Sequence, residues 1–237
     1  MMLSAALLLL STPVFQAPPP PVRGRDPWVF RCVLDKRPRM VVFALSEQGL
    51  WCAYDAQTMS FYKCWQGDVR LAGSVYDTSH GPQPTVQGTE YLRGFDEDNW
   101  QVFVDGKGVA AEPRFGGYWM HDGRATLLYH LILPDGRNIQ VRETPEFTRP
   151  EELFSDQQIE DFVLNKGDLC LWRSFQIVEC PQDVKVCLRI GYQGTSNKLV
   201  EAMEREDPVR MDGWLTLGSA RPFNNLLLFF KPKTEAR

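Results

Sequence analysis

From Trp28 to Phe230 the chain is cut into short runs of β-forming residues, most of them closed by Pro, Gly, Asp or Asn. A half-buried strand needs only a few branched or aromatic residues between turn residues, so this punctuation argues against alternating βα units. The runs fall at 28–34, 40–45, 50–54, 61–65, 99–104, 125–133, 139–142, 169–178, 184–190, 213–218 and 223–230. Two turns are explicit: Asp105-Gly106 after 99–104, and Pro134-Asp135-Gly136 between 125–133 and the alternating Ile139-Gln140-Val141-Arg142. Pro presets φ, and Asp-Gly tolerates the positive φ of a tight hairpin. One segment, 151–164, opens with acidic residues and carries Phe154, Ile159, Phe162 and Val163 roughly on one face, which predicts a short helix. The expected fold class is all-β, an antiparallel β-sandwich-like domain. Residues 26–237 read as one domain, with a second lobe from about 150 left open.

The start of the chain has a different character. Leu3 to Leu10 form an apolar run followed by Ser11-Thr12-Pro13, of signal-peptide length and too short to span a bilayer. No Lys or Arg precedes the run, and Phe15 is bulky for a position near a cut after Ala17. Residues 1–17 are expected to be a signal peptide, and the proline-rich stretch 18–25 a spacer in extended geometry. That places the protein in the periplasm or outside the cell, with no transmembrane segment expected in the mature chain. Basic residues number 26 against 30 acidic, for a net charge of −4, and no basic block stands out, so nucleic acid is not an expected partner.

Six cysteines suit an oxidising compartment. A hairpin about Thr58 or Met59 places Cys52 opposite Cys64, within disulfide reach at a non-hydrogen-bonded site. Cys180 and Cys187 face each other similarly if Pro181-Gln182-Asp183 is a hairpin turn. Small buried free thiols explain the same residues, and both readings stand.

Several segments carry a resemblance. They are Asp26–Arg31, Val33–Met40, Leu50–Asp55, Tyr62–Gly67, Val75–Pro84, Leu131–Gly136 and Glu143–Phe147. Together they resemble an uncharacterised β-rich module of exported bacterial proteins that also carry cytochrome c and quinoprotein (PQQ-type) sugar dehydrogenase domains. The resemblance covers roughly residues 26–147 and brings no catalytic residues with it. It implies an accessory role beside carbohydrate, or beside an exported sugar dehydrogenase or cytochrome c protein. No Cys-x-x-Cys-His occurs here, so covalent c-type haem attachment is excluded and no cofactor is expected.

Site candidates are few. His80 and Gln83 lie in Ser79-His80-Gly81-Pro82-Gln83-Pro84, where the backbone must turn and an imidazole can serve as base, ligand or donor. His121 and His130 are the other histidines, with no metal-ligand spacing among the three. Glu143 with Glu146, and the cluster Asp96-Glu97-Asp98, are the carboxylate groupings a glycosidase would need across a cleft. No Gly-x-Ser-x-Gly, His-Glu-x-x-His, phosphate loop or EF-hand loop is present. Most of the seven tryptophans are expected in the core, whereas Trp65 and Trp119, beside glycine-containing turns, are expected to be exposed platforms for a sugar ring. The leading expectation is a non-catalytic exported module that binds carbohydrate or docks onto a sugar-oxidising partner. The alternatives are a glycoside hydrolase or lyase using His80 with a carboxylate, and a structural envelope protein.

Overall fold

A computed structural model describes residues 28–46, 49–73, 75–79, 81–95, 99–161, 163–190, 198–200, 210–211, 214–217 and 224–230. The fold is all-β, with antiparallel pairing throughout. The strands are β1 (Trp28–Leu34), β2 (Arg37–Ser46), β3 (Leu50–Asp55), β4 (Ser60–Arg70), β5 (Thr85–Arg93), β6 (Trp100–Val104), β7 (Lys107–Val109), β8 (Glu112–His121), β9 (Arg124–Ile132) and β10 (Asn138–Thr148). Two short helices follow, α1 (Pro150–Leu153) and α2 (Asp156–Asp161). The chain then adds β11 (Leu169–Glu179), β12 (Val184–Arg189), β13 (Lys198–Val200), β14 (Arg210–Met211), β15 (Trp214–Leu217) and β16 (Asn224–Phe230).

Three sheets form: β1-β2-β3-β4-β5, a six-stranded β13-β16-β11-β10-β9-β8, and β14-β15-β12-β6-β7. All three pack on one core, in which Phe43 and Tyr54 of the first sheet meet Leu127, Val141, Leu171 and Leu228 of the six-stranded sheet and Val102 and Leu188 of the third. The stretch after residue 150 therefore completes this core: β11 lies between β10 and β16, and β12 between β15 and β6.

The tight turns follow from local chemistry. Asp105-Gly106 and Asp122-Gly123 both take positive φ at both positions, 48° and 74° in the first and 50° and 72° in the second. This is the primed turn whose twist matches flanking strands. Asp35 and Lys36, at φ 50° and 68°, make the same turn between β1 and β2 without a glycine. Asp35 has a second role. Its N–H donates to the Pro84 carbonyl (2.9 Å), and its carboxylate accepts from the Val86 N–H (3.0 Å), so the two edge strands of the first sheet meet at this end.

The middle of the first sheet is buried on both faces. Cys52 and Tyr54 point to the shared core, while Trp51 and Ala53 join Met40, Val42, Tyr62 and Trp65 in a second cluster. A bulge leaves Tyr62 as the extra residue between the pairs Ala53↔Lys63 and Tyr54↔Phe61, and an extra residue reverses the alternation beyond it. The six-stranded sheet behaves differently. Along β9, Ala125, Leu127, Tyr129 and Leu131 are buried, and the residues between them are half-buried. Among the described residues its inward face holds one charged pair: Glu143 accepts from Arg173 Nε (2.6 Å), Tyr54 Oη (2.6 Å) and Tyr129 Oη (3.1 Å), which ties the first sheet to this one.

The single helix expected at 151–164 is two short ones, because Phe154 adopts an extended backbone (φ −131°, ψ 150°) that ends α1. Phe162 lies outside the described residues. Leu153, Phe154, Ile159 and Leu164 cover Cys170, Leu227 and Phe229 on the outer face of the six-stranded sheet, alongside Trp172.

Candidate functional site

The helices shield the β11–β16 side of that outer face and leave its β8–β10 side open. There the strand alternation aligns a transverse row. Trp119 of β8 stands opposite Thr126 of β9, Thr144 of β10 opposite Ser174 of β11, and Ser174 opposite Asn225 of β16. The Thr126 and Thr144 hydroxyls meet at 2.8 Å and join the two halves of the row. One register step away, Arg142 of β10 faces Gln176 of β11. Trp119, Thr126, Arg142, Thr144, Ser174 and Gln176 enclose a groove of about 120 Å³. That is below the roughly 300 Å³ of a site that engulfs a small molecule, so the groove suits part of an extended ligand lying on the surface.

Trp119 is exposed (36%) on an edge strand, and the Arg142 guanidinium carbon lies 5.4 Å from its ring centroid. Cation–π contact of this kind holds a guanidinium flat without taking its hydrogen-bonding edge. In the other direction along β10 lies Glu146, which pairs with Arg124 at 2.7 Å. Burial pushes the Glu146 carboxyl above its usual range, partly offset by the Arg124 charge. Glu146 lines a larger cleft of about 250 Å³ with Asp122, Arg124 and Phe147.

The expected site residues scatter. Trp119 is a surface aromatic as expected. Trp65 is not: it is fully buried, stacked on Trp51 (centroids 6.0 Å apart, planes 8° apart), with its Nε1–H donated to the Asp68 carbonyl. The adjacent Gly67 marks no turn. It sits within β4 directly opposite Gly88 of β5, where a Cβ would fall 2.2 Å from the Gln87 carbonyl oxygen. Gln83 lies in the segment before β5, beside Lys36, Thr78 and Thr85, and its Nε2 reaches the Asp77 carbonyl at 3.4 Å. It belongs to a different surface from Trp119. His80 and Asp96-Glu97-Asp98 lie outside the described residues.

Glu143 and Glu146 do not flank one cleft, because an odd spacing along β10 turns Glu143 into the core and Glu146 outward. His121 pairs with Asp122 (2.8 Å), and His130 Nδ1 contacts Asn138 Oδ1 (3.0 Å). Among the described residues no three His, Cys, Asp or Glu side chains gather as a metal site, and no helix is long and apolar enough to cross a membrane.

All six cysteines are free thiols. Cys52 and Cys64 stand opposite each other, as the hairpin predicts, and burial pushes both thiols well above their ordinary range. They pack as neutral apolar groups, and it is the thiolate that exchanges. Cys180 and Cys187 do not face each other across a hairpin. β11 and β12 belong to different sheets, the Cys180 thiol meets the Val184 carbonyl (3.4 Å), and Cys187 meets Thr216 (3.6 Å). Sequence reasoning missed Arg142, Thr126, Thr144, Ser174 and Gln176, although the strict alternation of 139–142 already turned Arg142 away from the core.

No protein-family model, curated protein or solved structure matches this chain.

Proposed function

We propose that the protein is a non-catalytic, exported accessory module that binds carbohydrate on the open outer face of its six-stranded sheet. The observation that carries this reading is the row of Trp119, Thr126, Thr144 and Ser174 beside Arg142 and Gln176, all on paired strands. A pyranose offers an apolar C–H face and a rim of hydroxyls. An exposed indole complements the first, and neighbouring hydroxyl, amide and guanidinium groups complement the second. Side chains fixed on paired strands lose little freedom when they engage a ligand. The resemblance to modules accompanying exported sugar dehydrogenases supports the same ligand class, and it extends the reading to docking beside such an enzyme in the periplasm.

A glycan array probed with the purified protein and with Trp119→Ala tests the reading. Binding by the parent that is lost in the variant, with unchanged thermal unfolding, supports it. Binding to no glycan overturns it.

A second reading, a glycoside hydrolase or lyase, has one observation in its favour. Glu146 is a partly buried carboxyl with a raised proton affinity, as a general acid requires, and it shares a cleft with Asp122. Release of reducing ends from a polysaccharide by the parent, lost in Glu146→Gln, would favour it over the binding module.

A further inference from the structure

Among the outward-facing cations of the six-stranded sheet, Arg142 is unlike its neighbours. Arg114 pairs with Glu112 (3.1 Å), Arg124 with Glu146 (2.7 Å), and the nearby Arg137 with Asp135 and Asp183 (both 2.8 Å). Arg142 makes no ion pair among the described residues. Its Nη1 reaches only the Gln176 amide oxygen, at a long 3.5 Å, and its Nε is sheltered from solvent with no hydrogen-bond acceptor. Its groove companions Trp119, Thr126, Thr144, Ser174 and Gln176 are all neutral. The Glu146 carboxylate farther along β10 is engaged by Arg124.

A cation among neutral groove side chains has no carboxylate of its own, and a planar guanidinium takes one through two parallel hydrogen bonds. From this geometry we infer that the platform selects acidic saccharides. A uronate carboxylate engages Arg142, while hydroxyls of the same or an adjoining ring meet Thr126, Thr144 and Ser174. This inference rests on the carbohydrate-binding reading and names the chemical class of its ligand. The net charge of −4 repels polyanions at long range, so the selectivity must come from this local cation in the groove.

The test is calorimetric titration of the full protein with oligogalacturonate and oligomannuronate, each against its methyl ester, and with a neutral manno-oligosaccharide of equal length. At least one acidic oligomer is expected to bind about tenfold or more tighter than its ester, as a charge-assisted hydrogen bond implies. Arg142→Gln should bring that ratio close to one, whatever it does to the affinity for the ester. Arg142→Lys, which keeps the charge and loses the fork, should restore only part of it. Equal affinity for acid and ester, or a preference for the neutral oligomer, overturns the inference and leaves the carbohydrate reading standing. An acid preference that survives in a folded Arg142→Gln overturns the assignment to this residue. Binding to none of the saccharides overturns both. If Arg142→Gln fails to fold, the acid-to-ester ratio of the parent protein still decides.

Discussion

The first sheet and the six-stranded sheet are both antiparallel, yet they dispose of their faces in opposite ways. In the first, β3 is buried along almost its whole length, because one face meets the shared core and the other meets a second cluster under the closed end of the sheet. In the six-stranded sheet, β9 and β10 alternate buried with half-buried residues, and the outer face between the β8 edge and the helices stays open. A sheet covered on both sides has no surface for a ligand. A sheet covered on one side supplies rigid paired strands and a free row of side chains. Trp65 and Trp119 look alike in the sequence and part company for this reason.

The largest expected effect separates the two faces of β10. Glu143→Gln leaves Arg173 buried without its charge partner and should cost about 3–5 kcal/mol in urea unfolding. Glu146→Gln, three residues along and facing outward, should cost less than about 1 kcal/mol. Comparable losses would mean that the faces are not distinguished as described.

The two tryptophans sharpen the same comparison. Trp65→Ala empties a fully buried site and should cost about 3–5 kcal/mol. Trp119→Ala should change stability by less than about 1 kcal/mol and remove glycan binding, read by thermal unfolding and by the array.

A smaller effect is in pH dependence, and its sign differs between the two regions. Burial would raise the Asp35 carboxyl, but hydrogen bonds from Lys63 and the Val86 N–H outweigh it and hold the group below its ordinary range. The stability that Asp35 contributes is therefore complete above the unfolded value of about 3.9 and is lost as pH falls through the lower folded value. Glu146 is raised, so its contribution runs the other way: stability grows as pH falls through its folded value toward the unfolded one. Acid titration of stability should thus be flattened by Asp35→Asn and steepened by Glu146→Gln.

The smallest effect is a gain. Lys36 holds φ 68° in the β1–β2 turn, and Lys36→Gly should stabilise the closed end of the first sheet by about 0.5–1 kcal/mol in the same unfolding assay.

Much of this architecture was legible in advance where the signal is local. The turn at Asp105-Gly106 and the strands on either side of Pro134-Asp135-Gly136 lie where the residues place them. The strand β8 was not legible, because an edge strand reading Glu-Pro-Arg-Phe-Gly-Gly-Tyr-Trp-Met-His has only one neighbour to satisfy and lacks an apolar alternation. The Cys180–Cys187 pairing failed for a related reason. Two consecutive strands separated by a turn look the same in sequence whether they pair or cross between sheets.

The sequence by itself determined the all-β class, the main strands and the two-residue turns, since these depend on φ preferences and on side-chain alternation within a few residues. Tertiary structure alone decided which faces are covered, that Tyr62 is bulged and sets which buried cluster Trp65 joins, and that Arg142 is left without a carboxylate. Each of those outcomes depends on what a distant segment packs against, and neighbours in sequence carry no record of that.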